Sequence, residues 1–237
     1  MKKDSGKDDV TASLKGIDFL GDLTAKEVEA IEQACRFKTY RAQEQIIDRQ
    51  SSTQDVFFVV RGKVRVVNYS LAGREITLDD VGAGSYFGEL AAIDGRPRSA
   101  SVMALAETLV ASLPRTAFLK VLSDHPSTAH KLMTRLAQIV RMATDRIMDL
   151  STLAANNRVH AELLRLARAG MKGENKAVIR PIPVHGDIAS RISTTRETVA
   201  RVLNDLARQG VVTRTKDSLL VNDVERLGDL VEEVRGD

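Results

Sequence analysis

The chain has 237 residues, of which 43% are hydrophobic and 28% charged, and its formal net charge is +3. This composition is typical of an ordinary soluble protein with one large or two modest domains, and it argues against a disordered chain. No apolar run approaches the roughly 18 to 20 residues of a membrane span, and the charged start lacks the apolar core of a secretory signal. We therefore expect a cytoplasmic protein without a membrane partner.

The first part of the chain predicts a helix followed by many short strands. Residues 1–12 are polar, which predicts a disordered start. Thr24 and Glu27 have the spacing of a capping box, and apolar residues follow at helical intervals. The period then changes to strand-like runs separated by turn residues; these runs are 56–60, 64–67, 75–78, 101–105 and 108–112. Several short strands at close intervals indicate an antiparallel β-roll or barrel.

Residues 87–99 read FGELAAIDGRPRS and lie inside this strand-rich region. Gly88 lets the backbone approach a ligand closely, and the amides that follow can point at an anion. Glu89 can accept a hydrogen bond from a ribose hydroxyl, Arg98 offers a planar fork for two phosphate oxygens, and Ser99 adds a hydroxyl donor. Together these residues predict a site for one phosphate beside one sugar.

From about residue 115 the pattern is helical. Apolar residues recur at steps of three and four; they are Leu132, Leu136, Ile139, Val140, Ala143, Ile147 and Leu150. A seam of this length directly after a small β-domain favours a parallel two-helix contact in a homodimer over a helix that lies on its own domain. Asn156-Asn157 breaks the run and is interpreted as a hinge.

Residues 185–203 predict two short helices joined by a tight turn at Ser193-Thr194. Asp187 heads the first helix and Thr195 caps the second. The face left exposed near the start of the second helix carries Thr195, Arg196, Glu197, Ala200 and Arg201. Such a face suits the major groove, because arginine can bond guanine and glutamate can accept from cytosine. A two-stranded wing is expected directly after it.

The charge pattern supports a nucleic-acid partner for this segment. Between Arg191 and Lys216 the basic residues are Arg191, Arg196, Arg201, Arg208, Arg214 and Lys216, and the acidic residues are Glu197 and Asp205. A local basic face on a near-neutral protein is what duplex binding with sequence choice requires.

The two motifs together resemble the Crp-Fnr family of bacterial transcription regulators. Gly-Glu-Leu followed by Arg-Ser is similar to the phosphate-binding cassette of its cyclic-nucleotide-binding domains, and TRETVARVL at 195–203 is similar to its recognition helix. The resemblance implies an α+β fold with an N-terminal antiparallel β-roll, a long dimerisation helix and a C-terminal winged helix-turn-helix. The implied boundaries are 13–122, 123–155 and 156–237.

The resemblance also implies a function. We expect a homodimeric regulator without enzymatic activity that binds a two-fold symmetric site in double-stranded DNA, responds to cAMP or cGMP, and has RNA polymerase as a partner. The residues implied for the cyclic nucleotide are Gly88, Glu89, Leu90, Arg98, Ser99, Ala143 and Thr144. Those implied for DNA are Thr195, Arg196, Glu197 and Arg201.

The choice of base stays open. Members that bind cAMP place a Thr-Ser pair in the long helix, where this chain has Ala143-Thr144 and lacks one hydroxyl. Ser99, in turn, is the kind of hydroxyl that cGMP sites use toward guanine. The sequence therefore leaves adenine and guanine equally open.

Other cofactors of the family are not expected. A single cysteine, Cys35, argues against a disulfide and against the iron–sulfur branch. The histidines lie outside the strand region in which a haem-sensing relative places a ligand; they are His125, His130, His160 and His185. We expect no metal, no haem and no iron–sulfur cluster.

Two alternatives remain. One is a family regulator that binds DNA independently of a cyclic nucleotide or senses another metabolite. The other is an enzyme, although the sequence has no nucleophile–base pair and no P-loop. Several positions also depart from the family pattern: Ala42-Gln43 and Gln50-Ser51-Ser52 stand where the roll usually has turn glycines. Ser193 occupies the usual glycine position in the DNA-binding turn, where a left-handed backbone would suit serine less well than glycine.

Overall fold

The computed structural model describes residues 13–235, which divide into two compact units. Within that range the first unit contains residues 13–68 and Leu78–Arg135. The second contains Tyr69–Thr77 and the chain from Leu136 onward. The disorder expected for residues 1–12 concerns residues outside the described range.

Two four-stranded antiparallel sheets form the predicted β-roll. Their strands are β1 Arg36–Tyr40, β2 Gln45–Ile47, β3 Val56–Arg61, β4 Lys63–Tyr69, β5 Glu75–Gly82, β6 Tyr86–Phe87, β7 Ser101–Ala104 and β8 Thr108–Leu113. The order is β1-β8-β3-β6 in one sheet and β2-β7-β4-β5 in the other. Apolar side chains from both sheets, among them Val59, Val64 and Val102, form a buried cluster. The predicted strands are confirmed, and β1, β2 and β6 are additional.

The helices alternate with and follow these strands. They are α1 Ala25–Ala34, α2 Glu89–Asp94, α3 Arg115–Asp124, α4 Pro126–Thr152, α5 Ala155–Ala169, α6 His185–Arg191, α7 Arg196–Arg208 and α8 Val224–Arg235. The capping box before α1 is confirmed, since the backbone N of Thr24 donates to the Glu27 carboxylate over 2.7 Å and the Glu27 N donates to the Thr24 hydroxyl. In the part of the chain that the structure describes, no helix has both the length and the apolar character to cross a bilayer.

The second unit contains the helix-turn-helix and a small sheet. Helices α6 and α7 pack with α5 and α8 around a buried apolar cluster that includes Leu163, Ile188 and Leu227. Strands β9 Ala177–Ile179, β10 Val212–Arg214 and β11 Leu219–Val221 form the sheet in the order β10-β11-β9. The wing was expected to have two strands, but it has a third, because β9 pairs antiparallel with β11.

Two local expectations about helix boundaries are wrong. The break between α4 and α5 falls at 153–154, where buried Leu153 anchors the chain, so Asn156 and Asn157 lie in the first turn of α5. The first helix of the motif begins at His185, which puts Asp187 in its first turn. A carboxylate in the first turn interacts favourably with the positive end of the helix dipole.

Each of the three places at which family glycines are replaced contains one residue with a left-handed backbone. The φ angles are 66° at Gln43, 68° at Gln50 and 53° at Ser193. The chain therefore adopts this backbone in all three turns with residues that favour the left-handed region less than glycine does.

Candidate nucleotide site and DNA-binding face

Gly88 joins strand β6 to helix α2 and brings the chain close to Arg98. Its φ is +85°, in the left-handed region that favours glycine. A Cβ atom here would lie 2.8 Å from Nη1 of Arg98 and 3.1 Å from the carbonyl oxygen of Asp55. Only a residue without a side chain fits this position.

Arg98 is buried and bonded to neutral groups. Its side chain lies over the Phe57 ring, and the residue is only 4% exposed. Nε donates to the Thr53 hydroxyl over 3.0 Å, Nη1 to the Gly88 carbonyl over 2.8 Å and Nη2 to the Asp55 carbonyl over 2.7 Å. Burial lowers the pKa of this guanidinium, whereas the carboxylates of Asp55 and Glu89 raise it.

The hydrogen-bond count of Arg98 matters chemically. Among residues 13–235, these three bonds leave one N–H donor on each terminal nitrogen, and this pair can bond two oxygens of one anion. Because the acceptors in place are uncharged, they orient the guanidinium without neutralising it. The arrangement presents an oriented, buried positive fork.

Glu89 is the second buried charge of the cassette and is 7% exposed. Burial raises its pKa, while a bond to its own backbone and the charges of Arg135 and Arg98 lower it. A carboxylate held this way can accept a hydrogen bond from a hydroxyl group, and its desolvation costs the fold stability.

Glu89→Gln is therefore expected to stabilise the protein and weaken the site. Because the folded pKa is raised, the contribution of Glu89 to stability is lost as pH rises, so the glutamine variant should gain about 1 kcal/mol at pH 7 and less at pH 4. Cyclic nucleotide affinity should fall by about 1.5 to 3 kcal/mol. Urea unfolding at both pH values and calorimetry measure these effects, with exposed Glu29→Gln as the control. Unchanged stability at pH 7 would contradict the burial argument.

The other residues predicted for the nucleotide are exposed. Leu90 is 42% exposed and the Ser99 side chain is also open, while the Ser99 carbonyl accepts a bond of 3.3 Å from the Asn68 amide. Ala143 and Thr144 lie on α4 in the second unit, and the Thr144 hydroxyl donates to the Val140 carbonyl over 3.0 Å. Their roles toward a base stay predictions.

Sequence reasoning missed three residues of this site. Thr53 and Asp55 belong to the polar loop before β3, and they were overlooked because they act through a hydroxyl and a backbone carbonyl. Arg135 stacks 4.9 Å from the centroid of the Tyr86 ring, and its Nε is buried without a hydrogen-bond partner among the described residues. From the sequence alone, Arg135 is indistinguishable from any other charged residue of an amphipathic helix.

The DNA-binding face lies at the start of α7. Thr195 caps the helix as predicted, since its hydroxyl accepts a bond of 3.2 Å from the Thr198 N. Arg196, Glu197 and Arg201 are all exposed. The side of α7 that packs inward carries Val199, Val202 and Leu206.

Two of these side chains have local contacts that position them. The Arg196 side chain lies against Gly186: a Cβ atom added to Gly186 would be 3.0 Å from Nε of Arg196. Nη2 of Arg201 donates to the Asn156 amide oxygen over 3.3 Å. A bond to its own backbone amide and one to Thr195 lower the pKa of Glu197. It is therefore a carboxylate acceptor on this face.

The combination of elements defines a class of protein. A β-roll followed by a winged helix-turn-helix with an exposed basic helix is the architecture of a DNA-binding regulator.

Comparison with known proteins supports this class of protein. Residues 37–125 match the family model of the cyclic nucleotide-binding domain, and residues 157–230 match that of the Crp-like helix-turn-helix domain. The cyclic AMP receptor protein of Thermus thermophilus is 35% identical over 199 residues, which cover 84% of this chain and 89% of the relative. A CRP-like cAMP-activated global transcriptional regulator of Mycobacterium tuberculosis is 30% identical over 173 residues, which cover 73% of this chain and 77% of that protein.

The fold is shared with a solved structure as well. A mutant of CooA from Carboxydothermus hydrogenoformans superposes with a TM-score of 0.79 at 21% identity and covers 93% of this chain and 96% of its own. The chain belongs to the Crp-Fnr family of transcription regulators, which confirms the resemblance seen in its two motifs. Its relatives are regulators and not enzymes.

Proposed function

We propose that the chain acts in the cytoplasm as a homodimeric transcription regulator whose affinity for a two-fold symmetric DNA site is set by a cyclic purine nucleotide, cAMP or cGMP. We also propose RNA polymerase as a further partner. The observation that carries the proposal is the buried Arg98 fork, oriented by three neutral acceptors.

The ligand chemistry supports a cyclic phosphodiester. A diester has one negative charge shared by two free oxygens, which matches the two N–H donors that Arg98 retains. Glu89 is an acceptor of the kind a ribose hydroxyl needs, and it lies directly after Gly88, where the backbone turns toward Arg98. We propose that Leu90 and Ser99 line the same site and that Ala143 and Thr144 face the base.

The homodimer is supported by the surface of α4, which is about 40 Å long for its 27 residues. Three large apolar side chains separated by seven residues are exposed there: Met133 is 58%, Val140 64% and Ile147 63% exposed. Leu136 and Ala143 lie between them and Leu150 follows Ile147, which gives the alternating spacing of a two-helix seam. Leu132 was predicted in this seam, but it is buried within its own unit.

DNA recognition is assigned to α7. A dimer presents two copies of this helix to successive major grooves about 34 Å apart. We propose that Thr195 contacts a phosphate and that Arg196, Glu197 and Arg201 read base edges.

Arg196→Ala is expected to weaken binding to the preferred DNA site by about 1 to 3 kcal/mol and to relax the choice of one guanine. Fluorescence anisotropy with the preferred duplex and with single-base variants measures both effects. Exposed Arg208→Ala, at the far end of α7, is the matched control and should cost less. Equal weakening on every sequence would make Arg196 a phosphate contact only.

The proposed function is tested by titrating cAMP and cGMP against DNA binding. Binding sites are first selected from random duplexes with and without each nucleotide. We expect one nucleotide to raise affinity for the selected site by at least 10-fold, within the range of ordinary coupling energies. DNA affinity that neither nucleotide changes would favour a family regulator that is independent of cyclic nucleotides or senses another metabolite.

A further inference from the structure

Strand β5 directs one of its faces into the β-roll, and Asp79 lies on that face. Side chains alternate between the two faces of a strand, so Asp79 shares its face with Val81. Val81 is buried in the apolar cluster of the roll, which also contains Phe87. Phe87 stacks on Phe57, and the guanidinium of Arg98 lies over the Phe57 ring. Asp79 is therefore directed toward the same interior as the phosphate-binding cassette.

The neighbouring acid, Asp80, lies on the opposite face of β5 and is paired with cations. Its carboxylate accepts a hydrogen bond of 2.8 Å from Nε of Arg65 and lies 3.3 Å from Nζ of Lys63, and both residues belong to β4. Asp79 is half-buried, and its Oδ1 accepts a bond of 2.8 Å from the backbone N of Asp80. Within residues 13–235 no lysine or arginine forms a salt bridge with Asp79. Its carboxylate thus keeps acceptor positions that no cation occupies.

Asp79 and Glu89 are close enough to interact, although they come from different elements. Burial is the main cause that raises the pKa of Glu89, and the charge of Asp79 raises this pKa further. The charges of Arg135 and Arg98 act on Glu89 in the opposite direction. All four residues belong to the first unit, so the site that they surround is contained in that unit.

The charges of the proposed complex leave Asp79 without a cationic partner. The phosphate of the nucleotide takes the free donors of Arg98, and Arg135 is the cation that remains for Glu89. Asp79 then needs neutral N–H donors, because a partly buried carboxylate without donors is costly. The base of the nucleotide can supply them.

The two purines differ in what they offer to a carboxylate, which only accepts hydrogen bonds when ionised. The Watson–Crick edge of guanine carries two adjacent donors, the N1–H and the 2-amino group, and these match the two oxygens of one carboxylate. The same edge of adenine carries one donor, the 6-amino group, beside an acceptor nitrogen at N1. The lone pair of that nitrogen would face a carboxylate oxygen. A carboxylate directed at the base therefore favours guanine.

We propose that the nucleotide of this chain is cGMP and that Asp79 selects it by accepting hydrogen bonds from the N1–H and the 2-amino group of guanine. The inference rests on the proposed control by a cyclic nucleotide and names the base. One hydrogen bond to a charged group changes an affinity by roughly 10- to 100-fold. Two relatives of this chain are named for cAMP, so a preference for cGMP would set the chain apart from them.

Isothermal titration calorimetry on the natural sequence tests the choice of base. We expect cGMP to bind at least 10-fold more tightly than cAMP. Cyclic inosine monophosphate keeps the N1–H but lacks the 2-amino group, so it should bind roughly 10-fold more weakly than cGMP. Equal or tighter binding of cAMP overturns the selection of guanine and leaves the proposed function in place. A protein that binds none of the three nucleotides overturns the proposed function together with the inference.

Asp79→Asn tests the residue. An asparagine amide offers one acceptor and one donor group, a pair that suits adenine. The preference for cGMP over cAMP should therefore fall by roughly 10-fold or more, whereas a merely structural role would change both affinities together. Asp94→Asn is the matched control, because it removes a charge from the cassette itself at a side chain that is 48% exposed.

The control variant should keep the full preference for cGMP. A folded Asp79→Asn protein with an unchanged preference overturns the role of Asp79. The inosine comparison needs no variant, so it tests the contact with the 2-amino group even if Asp79→Asn does not fold. Inosine and guanine nucleotides that bind equally well overturn that contact.

Discussion

Replacing Arg98 with leucine is expected to weaken cyclic nucleotide binding by about 2 to 5 kcal/mol, the cost of truncating one partner of a buried charge pair. The side chain is almost fully buried, so water cannot take over its role toward a bound phosphate. The two N–H donors that remain free are lost together with the charge. Isothermal titration calorimetry with cAMP and with cGMP measures the change.

A conservative variant separates the charge from the fork. Arg98→Lys keeps the charge but has no planar pair of donors, so we expect at least a 10-fold loss of affinity as well. Arg96→Leu is the matched control, because Arg96 lies two residues away in the same loop and its side chain is 83% exposed. Both Arg98 variants must unfold cooperatively for the comparison to hold. Unchanged affinity in a folded Arg98→Leu protein would refute the role assigned to this residue.

Ile147→Glu is expected to separate the homodimer into monomers. The substitution removes an apolar side chain from each copy, which costs about 1.5 to 3 kcal/mol per side chain, and it places two like charges in the seam. Since Ile147 is 63% exposed within one chain, the fold of each chain should survive. Sedimentation equilibrium at micromolar concentration should give a dimer for the natural sequence and a monomer for the variant.

The control for the dimer prediction is Gln138→Glu. Gln138 is exposed on the same helix but lies on the side opposite the apolar seam, so the added charge should leave the mass unchanged. If the Ile147→Glu protein also sediments as a dimer, then the assignment of this seam is wrong. A dimer that is lost in both variants would point to net charge and not to the seam.

The β-roll could be predicted because its central strands are apolar and its turns contain glycine. Strand β1 was missed because only Tyr40 among its five residues is buried, which leaves no alternation to detect. Strand β9 as a third strand of the wing could not be predicted, since its pairing with β11 depends on contacts between segments about 40 residues apart in the sequence.

The sequence motifs predict which residues form the candidate site, but they do not predict which groups surround those residues. Gly88, Glu89 and Arg98 are identified by residue type and spacing, and the structure brings them together. The neutral acceptors that orient Arg98 are mostly backbone carbonyls, which leave no signal in the sequence.

The most direct test is a crystal structure of the full chain grown with cAMP or cGMP. We predict a nucleotide inside the β-roll, with its phosphate oxygens bonded to Nη1 and Nη2 of Arg98 and its ribose hydroxyl bonded to Glu89. Two results would contradict the account. One is an empty β-roll in crystals grown at millimolar nucleotide; the other is a nucleotide bound elsewhere while Arg98 bonds only Thr53, Gly88 and Asp55.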